Sequence, residues 1–390
     1  MKIGILTQPL RYNYGGILQN MALQMVLRKA GHEVCTLDYA VPSKSAFALF
    51  KWEVKKRLRH LLSPGKYPIV EHIPTDAEKD VMFSGMDSFM SRRIVRSPRF
   101  RKEEDFGTWT EAEGFDAFIV GSDQCWRLRY NAFIRSMFLS FAKDRDVKRV
   151  AYAASFGTAA WEYPDALREE CSSLLSKFDG VSVREGSGIA LCEENLGVRP
   201  VLALDPTMLL PREEYARIAD AESAPHSPGN LFVHILDPDE GKKAAVGAYS
   251  KRNGLSPFSI LPRHQVENLT LDAVRHDMEN CVYASPARFL RSFQEADEVI
   301  VDSFHGCVFA IIFNKPFWVV ANGKRGNARF DSLLGMLSLG DRLVSLEELP
   351  SLESRRSIDW DHVNAVLDSM RAGSLDFLFT SLGLRSTDNE

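Results

Sequence analysis

The sequence lacks several features that would mark a specialised class of protein. Its six cysteines, at positions 35, 125, 171, 192, 281 and 307, show neither a CxxC pair nor the Cys/His spacing of a metal site. Lysine and arginine number 48 against 52 aspartate and glutamate residues, and the net charge of −4 gives no general reason to bind nucleic acid. A run of about twenty apolar residues is also missing. We therefore expect free thiols, no metal, no nucleic-acid partner and no membrane-spanning segment.

What is present is typical of a globular protein of two domains. The 390 residues are 45% hydrophobic and 26% charged, and a chain of this length exceeds one ordinary core. The opening segment MKIGILTQPL is typical of a first strand and not of a secretion signal. We expect a cytoplasmic protein that forms its core without disulfides.

In the first half, apolar runs of strand type end repeatedly in small and polar residues. Phe115–Val120 leads into Ser122, Asp123 and Gln124, and Gly180–Val183 leads into Arg184 and Glu185. In an open parallel sheet the carboxyl ends of the strands line the ligand crevice. The pattern therefore predicts a doubly wound α/β sheet with these polar residues, including Arg184, facing a cleft.

The turn before the first predicted helix is also glycine-rich. Gly15 and Gly16 precede helical spacing over 17–30, as in a dinucleotide-binding turn, but the GxGxxG spacing is missing. The turn either lines the cleft or is simply a tight turn that requires glycine.

The second half is predicted to repeat the strand and helix alternation, with strands at 231–236, 257–261 and 281–283. Its central stretch, 299–329, combines a strand, the turn Asp302-Ser303-Phe304-His305-Gly306, a helix, a second strand and a glycine-spaced basic loop. An imidazole at a helix N-terminus beside a basic loop suits a phosphate or carboxylate. Alternatively, Ser303 merely caps the helix and His305 is a buried histidine.

These patterns predict two Rossmann-like domains that face each other across a cleft, followed by a closing helix. The Pro- and Ser-rich stretch 221–229 is the linker, so the domains are expected at 1–224 and 225–345, with a helical segment at 346–390 in which Gly373 interrupts the helix. A basic amphipathic insertion at 44–66 contains the predicted helix 47–62. That helix either lies on an anionic membrane surface or covers a core with its charged face in solvent.

With these residues in view, the chain resembles the polysaccharide pyruvyl transferase family. The resemblance spans about 300 residues in the family's order, and its pieces are specific only together. They are NYGGILQNMALQ (13–24), FDAFIVGSDQCW (115–126), YAASFG (152–157), SVRE (182–185), LDPTMLL (204–210), SPARFLRSF (285–293) and VDSFHGCVFAIIFNKPF (301–317).

The resemblance implies a fold like that of the two-Rossmann-domain (GT-B) glycosyltransferases. It also implies transfer of pyruvate from phosphoenolpyruvate to a sugar of a cell-surface polysaccharide or exopolysaccharide precursor, as a cyclic ketal, with release of phosphate. Phosphoenolpyruvate is then a co-substrate, and no cofactor is expected. The family's catalytic histidine corresponds to His305. An arginine that closely precedes it in some members is absent, because Ser303 and Phe304 occupy those positions.

The chemistry assigns the remaining candidates, because a ketal from phosphoenolpyruvate requires cations for two anionic groups, a proton donor and a base. His305 is the acid or a phosphate contact, and Asp123 is the hydroxyl-activating base, with Glu185 second. The predicted donor-binding residues are Arg184, Ser303, Gly306, Lys324, Arg325 and Arg329. The predicted acceptor-binding residues, in the first domain, are Asn13, Gly15, Gly16, Gln19, Gln124 and Glu185. A lipid-linked oligosaccharide acceptor would give helix 47–62 a role at the inner membrane surface.

Two other functions fit the same residues. A glycosyltransferase that uses a nucleotide sugar would share the fold, although no carboxylate is plainly placed to hold a ribose. A non-catalytic sugar- or anion-binding protein would use the same arginines without turnover.

The role of His305 gives a direct test. If it transfers a proton, His305→Ala is expected to lower turnover by about 100-fold or more, the usual size of a general acid-base contribution. The measurement is the rate of phosphate release from phosphoenolpyruvate in the presence of an acceptor. An unchanged rate would remove His305 from the mechanism.

Overall fold

The computed structural model describes residues 1–10, 12–40, 62, 72–321 and 328–384. Apart from Leu62, the predicted insertion 44–66 and its helix lie outside these residues, and so do Lys324 and Arg325. Within the described part, the chain forms two parallel sheets surrounded by helices. None of the helices described there combines the length and apolar character needed to cross a bilayer.

The first sheet has six parallel strands in the order β2-β1-β3-β4-β5-β6. Its central strand β3 is apolar throughout and buried on both faces, as expected when helices cover both sides of a parallel sheet. The strands are β1 (Lys2–Leu6), β2 (Glu33–Thr36), β3 (Ala117–Val120), β4 (Lys148–Ala154), β5 (Gly180–Val183) and β6 (Val201–Leu202).

The second sheet has five parallel strands in the order β11-β10-β9-β7-β8. They are β7 (Leu231–His234), β8 (Pro257–Phe258), β9 (Glu298–Val301), β10 (Phe317–Val320) and β11 (Leu343–Val344). The chain passes from one sheet to the other between Leu202 and Leu231, and the predicted boundary at 224/225 lies in this stretch. The prediction of two Rossmann-like halves is confirmed.

The helices of the first half begin with α1, which starts at Tyr14, three residues before the predicted start. Those up to the second sheet are α1 (Tyr14–Lys29), α2 (Asp76–Met82), α3 (Ser84–Arg93), α4 (Glu104–Ala112), α5 (Asp165–Leu175), α6 (Gly186–Leu196) and α7 (Arg212–Ala221). Those that follow are α8 (Glu240–Asn253), α9 (Leu271–His276), α10 (Pro286–Glu295), α11 (Phe304–Ile312), α12 (Ala328–Met336) and α13 (Trp360–Ser381).

Helix α1 is buried on nearly all sides because it packs against both halves. It contacts β2 of its own sheet and also α10 and α11 of the second half. The Tyr14 ring stacks on Phe289 of α10 with the ring centroids 4.8 Å apart, and its hydroxyl donates to the Ala284 carbonyl over 3.0 Å. The start of α1 is therefore fixed at the boundary between the halves.

Two local predictions differ from the structure. The segment 281–283 does not form a strand, because Met278–Cys281 folds into a 3₁₀ turn and the Tyr283 amide donates to the Met82 carbonyl of α2. Helix α13 also continues through Gly373 without a break. A helical glycine costs only about 1 kcal/mol relative to alanine. Burial of Val363, Leu367 and Leu378 on one side of α13 outweighs that cost.

Helix α13 crosses back from the second half to the first and closes the structure. It packs against β4 and β5, and the Ser374 hydroxyl accepts a hydrogen bond from the Leu204 amide at 3.0 Å. Two helices of the first half, α3 and α7, also pack against α10 of the second half. The two halves are thus held together by several helix contacts.

Candidate active site

The carboxyl ends of strands from both sheets border one cavity of about 520 Å³. Its wall carries residues from the turns after β1, β3, β7 and β9 and from the first turn of α12. The predicted site residues that line it are Asn13, Gly15, Asp123, Gln124, Ser303, His305 and Arg329. The sequence therefore correctly indicated that strand-end residues from the two halves meet.

Two helix N-termini point toward this cavity, one from each half. Helix α1 begins after Asn13, and α11 begins after Ser303, whose hydroxyl accepts a hydrogen bond from the Gly306 amide at 3.2 Å. Neither helix has an acidic residue in its first turn. Because unpaired amides and the helix dipole attract negative charge, the cavity is suited to an anion.

The two helix ends touch where the His305 ring packs on Gly15. A Cβ atom added to Gly15 would lie 2.0 Å from His305 Nδ1, whereas one added to Gly16 would come no closer than 3.4 Å to Asn13 Nδ2. Position 15 therefore requires glycine, because a larger residue there would clash with His305 of the second half. Gly16 is buried and does not line the cavity.

Asp123 lies on the cavity wall and is only 5% exposed. Its Oδ1 accepts from Arg184 over 3.2 Å, and its Oδ2 lies 3.5 Å from the Asn13 amide nitrogen. Burial alone would raise the pKa of Asp123, but the charge of Arg184, aided by His305 and Arg329, brings that pKa below its ordinary value. Asp123 is therefore ionised near neutrality, which makes it a good hydrogen-bond acceptor and a weak base.

Arg184 lies beneath the cavity and not on its wall, in contrast to the expectation that it faces the cleft. It is 4% exposed, and its Nη1 donates to Asp205 Oδ2 over 2.7 Å. Its guanidinium also lies over the Phe304 ring at 4.3 Å. Burial alone would lower the pKa of Arg184, but Asp205, Asp123 and Glu185 together raise it. Arg184 is a permanent cation whose partners are already provided by the protein.

Asp205 is the residue that sequence reasoning missed. Its Oδ1 accepts from the Thr207 amide at 3.0 Å and hydroxyl at 2.7 Å, and its Oδ2 lies 3.4 Å from His305 Nε2. Burial would raise the pKa of Asp205, but His305 and Arg184 hold it far below its usual range. The available signal was its place directly after the last strand of the first half, in the segment LDPTMLL.

Three further predicted residues make contacts inside the protein and do not line the cavity. The fully buried Gln19 donates to Thr7 and accepts from the Ser122 amide at 3.1 Å. Glu185 accepts from the Ser155 hydroxyl at 2.8 Å. An added Cβ at Gly306 would lie 2.7 Å from Ser303 Oγ, so this glycine makes room for the helix cap. All three shape the turns that carry the cavity residues.

Arg329 is the predicted cation that does line the cavity. Its guanidinium lies 5.8 Å from the Phe304 ring centroid, and it makes neither a hydrogen bond nor an ion pair with the residues that the structure describes. Burial and the nearby Arg184 lower the pKa of Arg329. Gln124 is differently placed, since its side-chain oxygen accepts from Arg127 at 2.9 Å. Of the two arginines on the wall, Arg329 is thus the one that pairs with no carboxylate among the described residues, although Asp123 and Glu185 act on its charge from a longer distance.

Comparison with known proteins agrees with this geometry. Residues 13–324 match the family model described as polysaccharide pyruvyl transferase. The chain belongs to the polysaccharide pyruvyl transferase family. Its general function is therefore that of a pyruvyl transferase in polysaccharide biosynthesis. A search of curated proteins by sequence finds no match.

Solved structures with a similar fold include one complex with a nucleotide sugar and one protein assigned as a nucleotide-sugar epimerase. UGT89C1 of Arabidopsis thaliana, complexed with UDP-L-rhamnose, matches with a TM-score of 0.53 at 10% identity over 98% of this chain and 99% of its own. A Listeria monocytogenes protein assigned as a UDP-N-acetylglucosamine 2-epimerase matches with a TM-score of 0.50 at 11% identity over 95% and 90%. At such identities the likeness shows the GT-B fold alone.

The contact between Gly15 and His305 gives a stability test. We expect Gly15→Ala to lower the free energy of unfolding by about 1–3 kcal/mol, the usual cost of forcing extra atoms into a packed site. Gly16→Ala is the matched control, because its Cβ would meet only an ordinary contact. Thermal and urea unfolding of both variants measure the difference. Equal stability of the two would contradict the described packing of His305 on Gly15.

Proposed function

We propose that the protein transfers the pyruvyl group of phosphoenolpyruvate to two hydroxyls of one saccharide, forming a cyclic ketal and releasing phosphate. The observation that carries this proposal is the convergence of Arg329, two helix N-termini and His305 on one cavity. Family membership supports the reaction class in general. The proposal adds the donor and the roles of individual residues.

The donor is proposed to bind at the helix ends. Phosphoenolpyruvate carries a carboxylate and a phosphate, and Arg329 offers a guanidinium that pairs with either. Amides at the start of α1 and α11 provide donors for the other group. Arg184 takes part indirectly, because its charge helps to keep Asp123, on the cavity wall, and Asp205, behind it, ionised.

The reaction requires a proton at C3 of the donor and two attacks at C2. In this proposal His305 delivers a proton to C3 while one acceptor hydroxyl bonds to C2. The second hydroxyl then bonds to C2 as the C2–O bond to phosphate breaks. One hydroxyl proton replaces the proton given by His305, and the other leaves with the phosphate, so the atoms and charges balance.

The acceptor is proposed to lie against the first half. Asp123, ionised by its cationic neighbours, is placed to accept a hydrogen bond from an acceptor hydroxyl and so orient it, and Asn13 and Gln124 offer further polar contacts. The lowered pKa of Asp123 favours this orienting role over full proton removal. A lipid-linked oligosaccharide as acceptor, and contact of 47–62 with the inner membrane surface, remain part of the proposal.

The donor is tested without knowledge of the acceptor. A ligand that binds only the folded state stabilises it, by about 2.7 kcal/mol at one hundred times its Kd. We therefore expect phosphoenolpyruvate to raise the melting temperature, and pyruvate, which lacks the phosphate, to raise it far less. Phosphate release from phosphoenolpyruvate should then depend on an acceptor from a panel of free and lipid-linked saccharides. Stabilisation by UDP-sugars but not by phosphoenolpyruvate would instead indicate a glycosyltransferase.

Arg329 provides a test at one residue. Because loss of a hydrogen bond to a charged group costs about 1.5–3 kcal/mol, Arg329→Gln is expected to weaken phosphoenolpyruvate binding by roughly 10- to 100-fold. Arg199→Gln is the control, since Arg199 is 86% exposed in its side chain and precedes β6 at the opposite edge of the sheet. Titration by thermal shift or calorimetry gives both dissociation constants. Equal affinity of both variants would exclude Arg329 as a donor contact.

A further inference from the structure

The contact between Asp205 and His305 joins the two halves of the protein at the cavity. Asp205 follows β6 of the first sheet, and His305 lies in the first turn of α11 after β9 of the second. Asp205 Oδ2 and His305 Nε2 are 3.4 Å apart, and both residues are under 10% exposed. His305 therefore finds this carboxylate only when the halves are together.

The first half alone fixes the orientation of the Asp205 carboxylate. Thr207 donates to Oδ1 from its amide and its hydroxyl, while Ser122 at 3.2 Å and Arg184 at 2.7 Å donate to Oδ2. Four donors on two oxygens leave the carboxylate no freedom to rotate. The first half alone therefore sets the orientation in which Asp205 Oδ2 faces His305.

The two nitrogens of the His305 ring lie in different surroundings. Nε2 is fully buried and lies 3.4 Å from Asp205 Oδ2, without a hydrogen bond between them. Nδ1 lies against Gly15, which lines the cavity. If the carboxylate attracts the ring proton to Nε2, Nδ1 is left as the nitrogen that exchanges a proton with a bound ligand.

The Asp205 carboxylate, 3.4 Å from the ring, can pair with a positive charge that His305 carries during proton transfer. Asp123 of the same half also interacts electrostatically with His305.

We propose that Asp205 is a positioning residue that holds His305 by Nε2, directs Nδ1 toward the donor and supplies the counter-charge for the imidazolium. This inference rests on the proposed function, in which Nδ1 gives its proton to C3 of phosphoenolpyruvate and regains one from an acceptor hydroxyl. Because Asp205 and His305 belong to different halves, His305 is positioned as the proton donor only when the two halves are in contact.

The variant that tests this role is Asp205→Asn, which keeps the shape and removes the charge. We expect turnover to fall by about 10- to 100-fold, the range reported for loss of a group that orients and polarises a histidine. The affinity for phosphoenolpyruvate, measured by thermal shift, should change by less than about threefold, because Arg329 and the helix ends are untouched.

A matched control separates this effect from the loss of any buried carboxylate. Glu298→Gln removes a carboxylate that is 1% exposed at the amino end of the central strand β9, at the other end of that strand from the cavity, where it accepts from Tyr249 and Ser354. It is expected to lower stability without lowering turnover. A lowered stability in Asp205→Asn with an unchanged turnover would mean that Asp205 is purely structural, and the proposal would be wrong.

A second measurement is made on the wild-type protein and does not depend on turnover. Nitrogen-15 spectra of histidine-labelled wild-type protein, assigned with His305→Gln, show which ring nitrogen carries the proton of the neutral form. We expect Nε2, and a proton on Nδ1 would overturn the inference even if the enzyme is active. If the spectrum shows Nε2 but phosphoenolpyruvate neither binds nor releases phosphate, the positioning by Asp205 stands and the proposed function fails.

Discussion

The candidate site depends on one buried interaction, the Arg184 guanidinium between the carboxylates of Asp123 and Asp205. An unpaired charge at 5% exposure or less would cost several kcal/mol, so these three side chains are retained or lost together. Their benefit is electrostatic. Arg184 lowers the pKa of Asp123, and His305 together with Arg184 lowers the pKa of Asp205, so that one ionised group faces the cavity and the other faces His305. The Phe304 ring, packed on the same guanidinium, extends this arrangement to the second half.

The site is divided between the halves in a way that suits a reaction of two substrates. The first half contributes Asp123 and the buried charges, while the second contributes His305 and Arg329. The contact of Gly15 with His305, the stacking of Tyr14 on Phe289 and the return of α13 to the first sheet all fix the distance between the halves. A proton donor and an orienting carboxylate that come from separate domains require that such contacts form, because side chains placed even 1 Å away lose much of their effect.

Several positions in the motif segments require glycine for steric reasons and not for ligand binding. Gly15 leaves room for an imidazole, and Gly306 leaves room for the cap of α11. Gly121 combines a φ of +122° with a position where a Cβ would lie 2.1 Å from the Tyr152 carbonyl oxygen. These close approaches let three turns meet at the cavity. They explain why a glycine-rich turn occurs here without the spacing of a dinucleotide-binding fingerprint.

The sequence by itself determined most of the strand and helix order, the two-domain α/β class, the family and seven of the residues that border the cavity, because apolar periodicity and strand-end polar residues are local signals. The tertiary structure decided which of those residues face the cavity. Arg184 and Glu185 follow a strand as Asp123 does, and Gln19 lies in α1 next to the glycine-rich turn. Their side chains are nevertheless buried by partners distant in the chain. Asp205 lies beside His305 because the segment after β6 in one domain meets the start of α11 in the other. Such a long-range pairing leaves no mark on the spacing of residues, so only the folded arrangement reveals it.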